Sequence, residues 1–461
     1  MMAAGTSAVP VAFTVVDATS DAARVDAYRL LRRRAFVEEQ GLFDGHDLDE
    51  HDASDATRVL VALEPHGEVV GGVRLHPDPA HPDLAWWRGS RLVCSRHPGV
   101  RRGDAGAALV RAACATAQAE GALRFDAHVQ ERFGPFFERL GWEHAGRLEV
   151  AGTPHLLMRW PIGRFARLAQ DTKAPLGGLL AGILPADAWL GDDGAPIAGT
   201  DVVACADAIL PEMVARDPEW AGWCAMLVAA HDLSAMGAAP VAALDTLGAA
   251  DADHAARVLD GLRRGSQALD LPIIGGHTQL GVGPALTVTA LGRTPDPVPA
   301  SGGRPGDALA ITADVDGGWR PGYEGRQWDS STRRARDELR AMLDAVATAR
   351  PRAAKDVSMA GIVGTVGMLA EASGCGAELE IAAIPRPPDA PLADWLTCFP
   401  GFAMVTVDDG DAPIPPAGAA VGERCGTLGD TPGVRLRWPD GAITTALGGD
   451  VTGLGAAPWA S

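Results

Sequence analysis

The chain has 461 residues, of which 47% are hydrophobic, and a formal net charge of −19 at pH 7. At roughly 150 residues per domain it is long enough for about three compact units, each with its own core. The acidic balance disfavours a nucleic-acid partner, whose phosphates need a basic face, and Gly, Pro, Asp or Arg interrupts every apolar run before the roughly 20 residues that span a bilayer.

The opening stretch, MMAAGTSAVPVAFTVVDATS, lacks the basic start and cleavable apolar core of a leader, so a cytoplasmic protein is expected. A charged helix is predicted over DAARVDAYRLLRRRAFVEEQ, then a strand pair in RVLVALEPHGEVVGGVRL turned at PHG. Strand SRLVCSR, turn HPGVRRGD and an Ala-rich helix follow. Strand LRFDAHV, short helix FGPFFERL and a strand near HLLMRW complete a mixed α/β domain. The turn before the Ala-rich helix holds Arg101, Arg102, Gly103, Ala105 and Gly106. A helix start offers unpaired N–H groups and a positive dipole end, so this turn can grip a pyrophosphate; an ordinary turn with solvated arginines fits the residues as well.

With RRRAFVEEQG upstream and FFERLGW downstream, residues 11–160 resemble the GNAT N-acetyltransferases in element order and in three motifs. The resemblance implies that RRGDAG is an acetyl-CoA pyrophosphate loop and that FFERLGW borders the pantetheine. One glycine of the usual R-x-x-G-x-G/A pattern is replaced, and Phe137 stands where a catalytic Tyr is often found, which excludes a Tyr-type general acid there. Acetyl transfer needs a neutral amine beside a polarised thioester, and a nearby carboxylate or a water chain serves as base. Glu39, beside Gln40 at the end of a helix whose family counterpart lines the acceptor groove, is the candidate base. The run Asp47, Asp49, Glu50, Asp52 reads as a solvated acidic loop.

From Leu176 onward, strand-like DVVACAD, LPIIGG and ALTVTALG alternate with helical stretches such as DADHAARVLDGLRRGSQALD. TPDPVPASGGRPG, dense in Pro and Gly, connects to a further α/β unit. That unit contains strand DALAIT, helices STRRARDELRAMLDAVATAR and MAGIVGTVGMLAEASG, and strands AELEI and GFAMVTV. PDAPLADW is expected as loop and DVTGLGAAPWAS as a frayed end. The seven cysteines are scattered, odd in number and without a CxxC pair, which fits reduced apolar residues better than disulfides or zinc.

The run WCAMLVAAHDLSAMGAAPVAAL places His231 and Asp232 inside an apolar stretch, where an ionised carboxylate needs a partner. Other acids stand at turns and strand ends: Asp192 and Asp193 in LGDDGAP, Asp207 in CADAILP and Asp356 in AAKDVSMAG. Magnesium suits such a set, because it binds few carboxylates and takes further ligands from water and nucleotide phosphates. Gly275 and Gly276, followed by His277 and Thr278, would let backbone approach a phosphate. Each stretch also has a structural reading: GDDG as a turn, Asp232 as a helix cap, Asp356 as an N-cap.

Together GDD, HDLSAMGAAP, GGHT and KDVSMAGIVG resemble the AIR-synthase/PurM-like superfamily over about residues 170–440. The fused arrangement resembles AIR-synthase-related proteins of bacterial nitrilase clusters. The resemblance implies magnesium held around ATP by Asp192, Asp193, Asp207 and Asp232, with Gly275, Gly276, His277, Thr278 and Asp356 at the nucleotide. The reactive Cys of selenophosphate synthetases and the C-terminal Cys of HypE are absent, disfavouring selenide activation and nitrile synthesis.

The expected fold class is therefore α/β (α+β), a GNAT fold over 11–160 followed by a two-lobed PurM-like module with lobes at 170–300 and 301–445. The expected function is a fusion of an acetyl-CoA-dependent N-acyltransferase and an ATP/Mg-dependent enzyme that activates a small-molecule oxygen by phosphorylation. The alternative makes the second half an ATP sensor or dimerisation module. A homodimer is expected, with VVACADAIL as its partner edge.

Overall fold

The computed structural model describes residues 13–95, 102–185, 188–411 and 413–456, with residues 102 and 103 described by backbone alone. Contacts divide the chain into two units, Met1–Arg164 with Pro391–Ala393, and Phe165–Ala390 with Asp394–Ser461.

The first unit is built on one sheet of strands β1 (Thr14–Asp17), β2 (Arg58–Leu63), β3 (Val69–Pro77), β4 (Trp86–Cys94), β5 (Arg124–Gln130), β6 (Glu143–Val150) and β7 (Thr153–Trp160). Their order is β1-β2-β3-β4-β5-β7-β6. Neighbours are antiparallel except β4 and β5, which pair in parallel from Trp86–Gly89 to Arg124–Ala127. Beyond that pairing β4 continues to Cys94 and β5 to Gln130, so the two strands part. The cause is local: the β3/β4 register shifts between Gly72 and Arg74, and Arg91 takes a left-handed φ of 57°. A bulge of this kind re-aims a strand. β6 was not anticipated, because EHAGRLEV is a largely exposed outer strand with little apolar content.

Helix α1 (Ala22–Arg32) starts at Asp21, whose carboxylate accepts from Arg24 N, and continues as a π-helical turn over Arg33–Glu39. Helix α2 (Arg102–Ala119) lays Ala105, Leu109, Val110, Ala113 and Ala117 into the core at helical spacing. Helix α3 (Gly134–Glu138) precedes β6.

The acidic run after α1 is not a solvated loop. Arg32 donates to Asp47 at 2.7 Å and to both oxygens of Asp52, Arg74 grips Asp49 bidentately at 2.6 and 2.7 Å, and Arg91 reaches Asp49 at 3.1 Å. Arg32 and Arg74 are 1% exposed, so their charge has to be matched inside the protein. Of the four acids, Glu50 alone is well exposed.

The second unit begins with helices α4 (Arg164–Thr172) and α5 (Leu176–Leu180). A sheet of β8 (Ala195–Pro196), β9 (Val202–Ile209), β10 (Ala239–Ala249), β11 (Ile273–Leu280) and β12 (Ala285–Arg293) follows, in the order β11-β10-β12-β9-β8. It carries helices α6 (Pro211–Arg216), α7 (Pro218–Ala235) and α8 (Ala252–Leu269). The apolar run divides between α7 and β10, with Gly237 turning the chain at φ 64°. α7 is apolar all round and almost wholly buried. It meets α8 so closely that a Cβ on Gly222 would strike the Val258 carbonyl.

A second sheet is formed by β13 (Ala308–Ala313), β16 (Ala353–Asp356), β17 (Gly376–Glu380), β18 (Ala403–Asp408), β19 (Val421–Gly429), β20 (Gly433–Arg437) and β21 (Ile443–Leu447). Its order is β16-β18-β13-β19-β17-β20-β21, with a separate ribbon of β14 (Gly318–Trp319) and β15 (Trp328–Asp329). The segment STRRARDELRAMLDAVATAR is broken into a 3-10 turn at Ser331–Arg333, helix α9 (Arg336–Leu343) and helix α10 (Ala345–Ala349). Helix α11 (Gly361–Ala372) packs on β17 and β20. Val346, Ala354, Phe402 and Met404 share one core with α7, β9 and β12, so both lobes close on α7.

The tail is anchored rather than frayed as far as Gly455. The buried carboxylate of Glu371 accepts from the amides of Val451, Thr452 and Gly455 at 2.7 to 3.0 Å and from the Thr452 hydroxyl at 2.8 Å.

Candidate functional site

Four segments of the second unit deliver carboxylates to one place. Along β9, Val203, Cys205, Asp207 and Ile209 alternate onto the face covered by α7, and Cys205 Sγ lies 3.5 Å from the Ala229 carbonyl of that helix. Asp232, one turn further along α7, thereby comes to Asp207 two residues further along β9, and each carboxyl acts on the other's charge. Asp356 ends β16, and Asp193 follows the left-handed Gly191 in the loop before β8. Carboxylate oxygens of Asp193, Asp232 and Asp356 all lie within 4.8 Å of one another.

Neighbouring groups hold Asp193 in place. The backbone N–H of Asp356 donates to Asp193 Oδ2 at 2.9 Å, while Lys355 Nζ donates to Asp193 Oδ1 and, at 2.9 Å, to the Gly191 carbonyl. Lys355 is 5% exposed. Its ammonium keeps its proton beyond the usual range: burial works against the charge, and Asp193 and Asp356 outweigh it.

Burial pushes the Asp232 and Asp356 carboxyls well above the usual range, and repulsion from Asp207 and Asp193 respectively adds to it. Asp207 is also raised by burial. Such a set is costly without a counter-charge. Oxygen donors converging in a buried place fit a hard divalent cation such as magnesium, which accepts few carboxylates and leaves positions for phosphate oxygens.

Asp192 does not join this triad. Its Oδ1 accepts from the Ala300 amide, its Oδ2 has no hydrogen-bond partner among the described residues, and burial raises its pKa to about 7. One carboxylate goes to the Ala300 amide and the other to Lys355 and the Asp356 amide, so the pair GDD supplies one carboxylate to the cluster and Asp356 supplies the third. Asp356 is no N-cap either, since α11 starts at Gly361 behind Ala360.

Gly275, Gly276, His277 and Thr278 lie on β11, the exposed outer strand, separated from β9 by β10 and β12. At ~4.8 Å per strand that is about 14 Å, so within one chain they stand apart from Asp207. Gly276 has its own neighbour: a Cβ there would strike Asp245, a buried carboxyl whose Oδ2 has no partner among the described residues.

In the first unit, Arg101 lies outside the described residues, as does the side chain of Arg102, and the backbone of Arg102 and Gly103 opens α2. Ala105 and Gly106 are not in a turn. They belong to α2 itself, with Ala105 fully buried and Gly106 close to Phe136. Phe137 is 7% exposed and packs edge-to-face on Trp142 at 5.3 Å, a core position. Glu39 is exposed at the end of the π-helical turn, and Gln130 at the end of β5 donates to Gln40 at 2.7 Å.

Lys355 was not singled out from sequence as a site residue. Its signal was available: it directly precedes Asp356 and is one of two lysines in the chain.

The family described as AIR synthase related protein matches this chain through its N-terminal domain at residues 191–294 and its C-terminal domain at residues 304–426. An uncharacterised protein of Synechocystis sp. is 34% identical over 223 residues, 47% of this chain and 69% of its own length. A thiamine-monophosphate kinase of Rhodopirellula baltica is 36% identical over 192 residues, covering 40% of this chain and 57% of the kinase. Among solved structures, T. maritima PurL complexed with ADP superposes with a TM-score of 0.51 at 16% identity, over 65% of this chain and 52% of that one, a likeness of fold.

Proposed function

The chain belongs to the AIR synthase-related family through residues 191–294 and 304–426, and from that premise we propose that its second unit binds ATP with magnesium and phosphorylates an oxygen of a small molecule. The observation that carries this reading is the convergence of Asp193, Asp232 and Asp356. The thiamine-monophosphate kinase relative supports ATP as the donor. Asp193, Asp232 and Asp356 would hold the magnesium, with Asp207 behind them; the ion would neutralise phosphate charge and orient the γ-phosphoryl group. Lys355 and the Asp356 amide fix Asp193 before nucleotide arrives, so little reorganisation is left for binding. In the transfer, the acceptor oxygen bonds to the γ-phosphorus as the bond to the β–γ bridging oxygen breaks. ADP leaves, and the acceptor's proton passes to a carboxylate or to water.

The first unit is read as a GNAT-type N-acetyltransferase using acetyl-CoA. The parting of β4 from β5, the bulge at Arg91 and the start of α2 beyond the β4 end support this reading. First-turn amides of α2 would take the pyrophosphate, and Glu39 would accept the proton of the acceptor amine. A homodimer through the first sheet of the second unit completes the proposal. The strand for it is β11 rather than β9, because β9 is hydrogen-bonded to β12 along its whole length and to β8 on its other side.

The test is turnover by the full chain. With ATP, Mg²⁺ and a panel of small alcohols, carboxylates and amides, ADP formation is expected only when an acceptor is present. ATP binding without ADP formation under every condition would favour the sensor reading instead.

A further inference from the structure

Of the 40 Lys and Arg residues in the chain only two are lysines, Lys173 and Lys355, and Lys355 stands at the carboxylate cluster. Lys355 touches Asp193, and Lys173 is near enough for its charge to act on Asp207 and Asp356. Elsewhere the chain meets its carboxylates with arginine, whose planar fork suits bidentate pairing, as at Asp49 and Asp314. An ammonium differs in being compact and close to spherical. At Lys355 it sits 5% exposed, with the Gly191 carbonyl and an Asp193 oxygen around it, an oxygen shell of the kind that a small cation takes.

Asp193 has a double role. One of its oxygens meets Lys355 Nζ and the other faces the Asp356 amide, while the same carboxylate belongs to the triad with Asp232 and Asp356. A carboxylate that meets one cation and also belongs to a further cation-binding set is placed as the bridging ligand of a two-cation site.

We propose that Lys355 is a built-in cation that takes the second cation position of the carboxylate cluster, so that the cluster binds one divalent ion where four acids would otherwise hold a pair. The proposal rests on the reading of Asp193, Asp232 and Asp356 as the cation site. Lys355 is then a positioning residue: it sets Asp193 and the number of ions, and no bond is made or broken on it.

The experiment counts Mn²⁺ bound to the full chain without nucleotide, from the electron paramagnetic resonance signal of the free ion. Wild type is expected to bind one tight equivalent per chain. Lys355→Met and Lys355→Gln, checked for folding by circular dichroism, are each expected to bind two. Two tight equivalents on wild type, or one equivalent on the folded variants, would overturn the proposal. If neither variant folds, the wild-type count decides. No tight binding by wild type would instead overturn the cation site itself, an outcome distinguishable from the others.

Discussion

At the scale of single residues, burial decides which titratable groups matter. His76 is 4% exposed, stacked on His51 at 3.6 Å, with Nδ1 3.0 Å from the Pro77 carbonyl. Burial pushes its imidazole down to about 4, against the opposing pull of that carbonyl. Because the folded value lies below the unfolded one of ~6.5, the unfolded chain takes up the proton first as pH falls. The contribution is complete above about pH 6.5 and is lost as pH drops toward 4, roughly 3 kcal/mol over the window at ~1.36 kcal/mol per pH unit. Urea unfolding of wild type and His76→Gln at pH 7 and pH 4.5 should show the variant losing less stability than wild type. Equal losses would mean that His76 is protonated in the fold. Single residues were also where the sequence misled. Asp192 and Asp193 look equivalent in GDD, and only the three-dimensional path of the loop sends one to the Ala300 amide and the other to the cluster.

At the scale of elements, β11 is the exposed outer strand of its sheet, and its side chains are open too, with Ile274 66% and Leu280 52% exposed. An uncovered strand with apolar side chains is a pairing template unless something occupies it. The proposed pairing with a second copy would cover both features. Light scattering is expected to give a dimer for wild type and a monomer for Ile274→Lys, since a buried unpaired ammonium at such an interface is costly. A monomeric wild type at micromolar concentration, or a variant that stays dimeric, would contradict this use of β11. Most elements were legible from apolar period and turn residues: α1, α2, α8, α11 and the central strands all lie where the pattern places them. β6 escaped because its pattern is mostly polar, and β10 because its apolar residues run on unbroken from α7. The anchoring of the tail was invisible for a different reason, since it depends on Glu371, some eighty residues away in sequence.

At the scale of the molecule, the sequence motifs GDD, HDLSAMGAAP and KDVSMAG turned out to be three walls of one site, which no local pattern dictates. The fold assembles them by closing both lobes on α7, and the proposed magnesium-nucleotide site stands where they meet. Asp232 is a buried acid of the cluster, with its carboxyl raised by burial. Replacing it by Asn removes a ligand that a hard cation needs while also removing the desolvation cost of the charge. The decisive measurement is the melting temperature of the full chain with and without Mg²⁺ and ATP. Nucleotide at ~100 times its Kd adds about 2.7 kcal/mol to stability, a rise of several degrees. Wild type should show that rise, and Asp232→Asn should melt at or above the ligand-free wild-type temperature with no rise on addition of Mg²⁺ and ATP. An Asp232→Asn variant with the same ligand-induced rise as wild type would contradict the account.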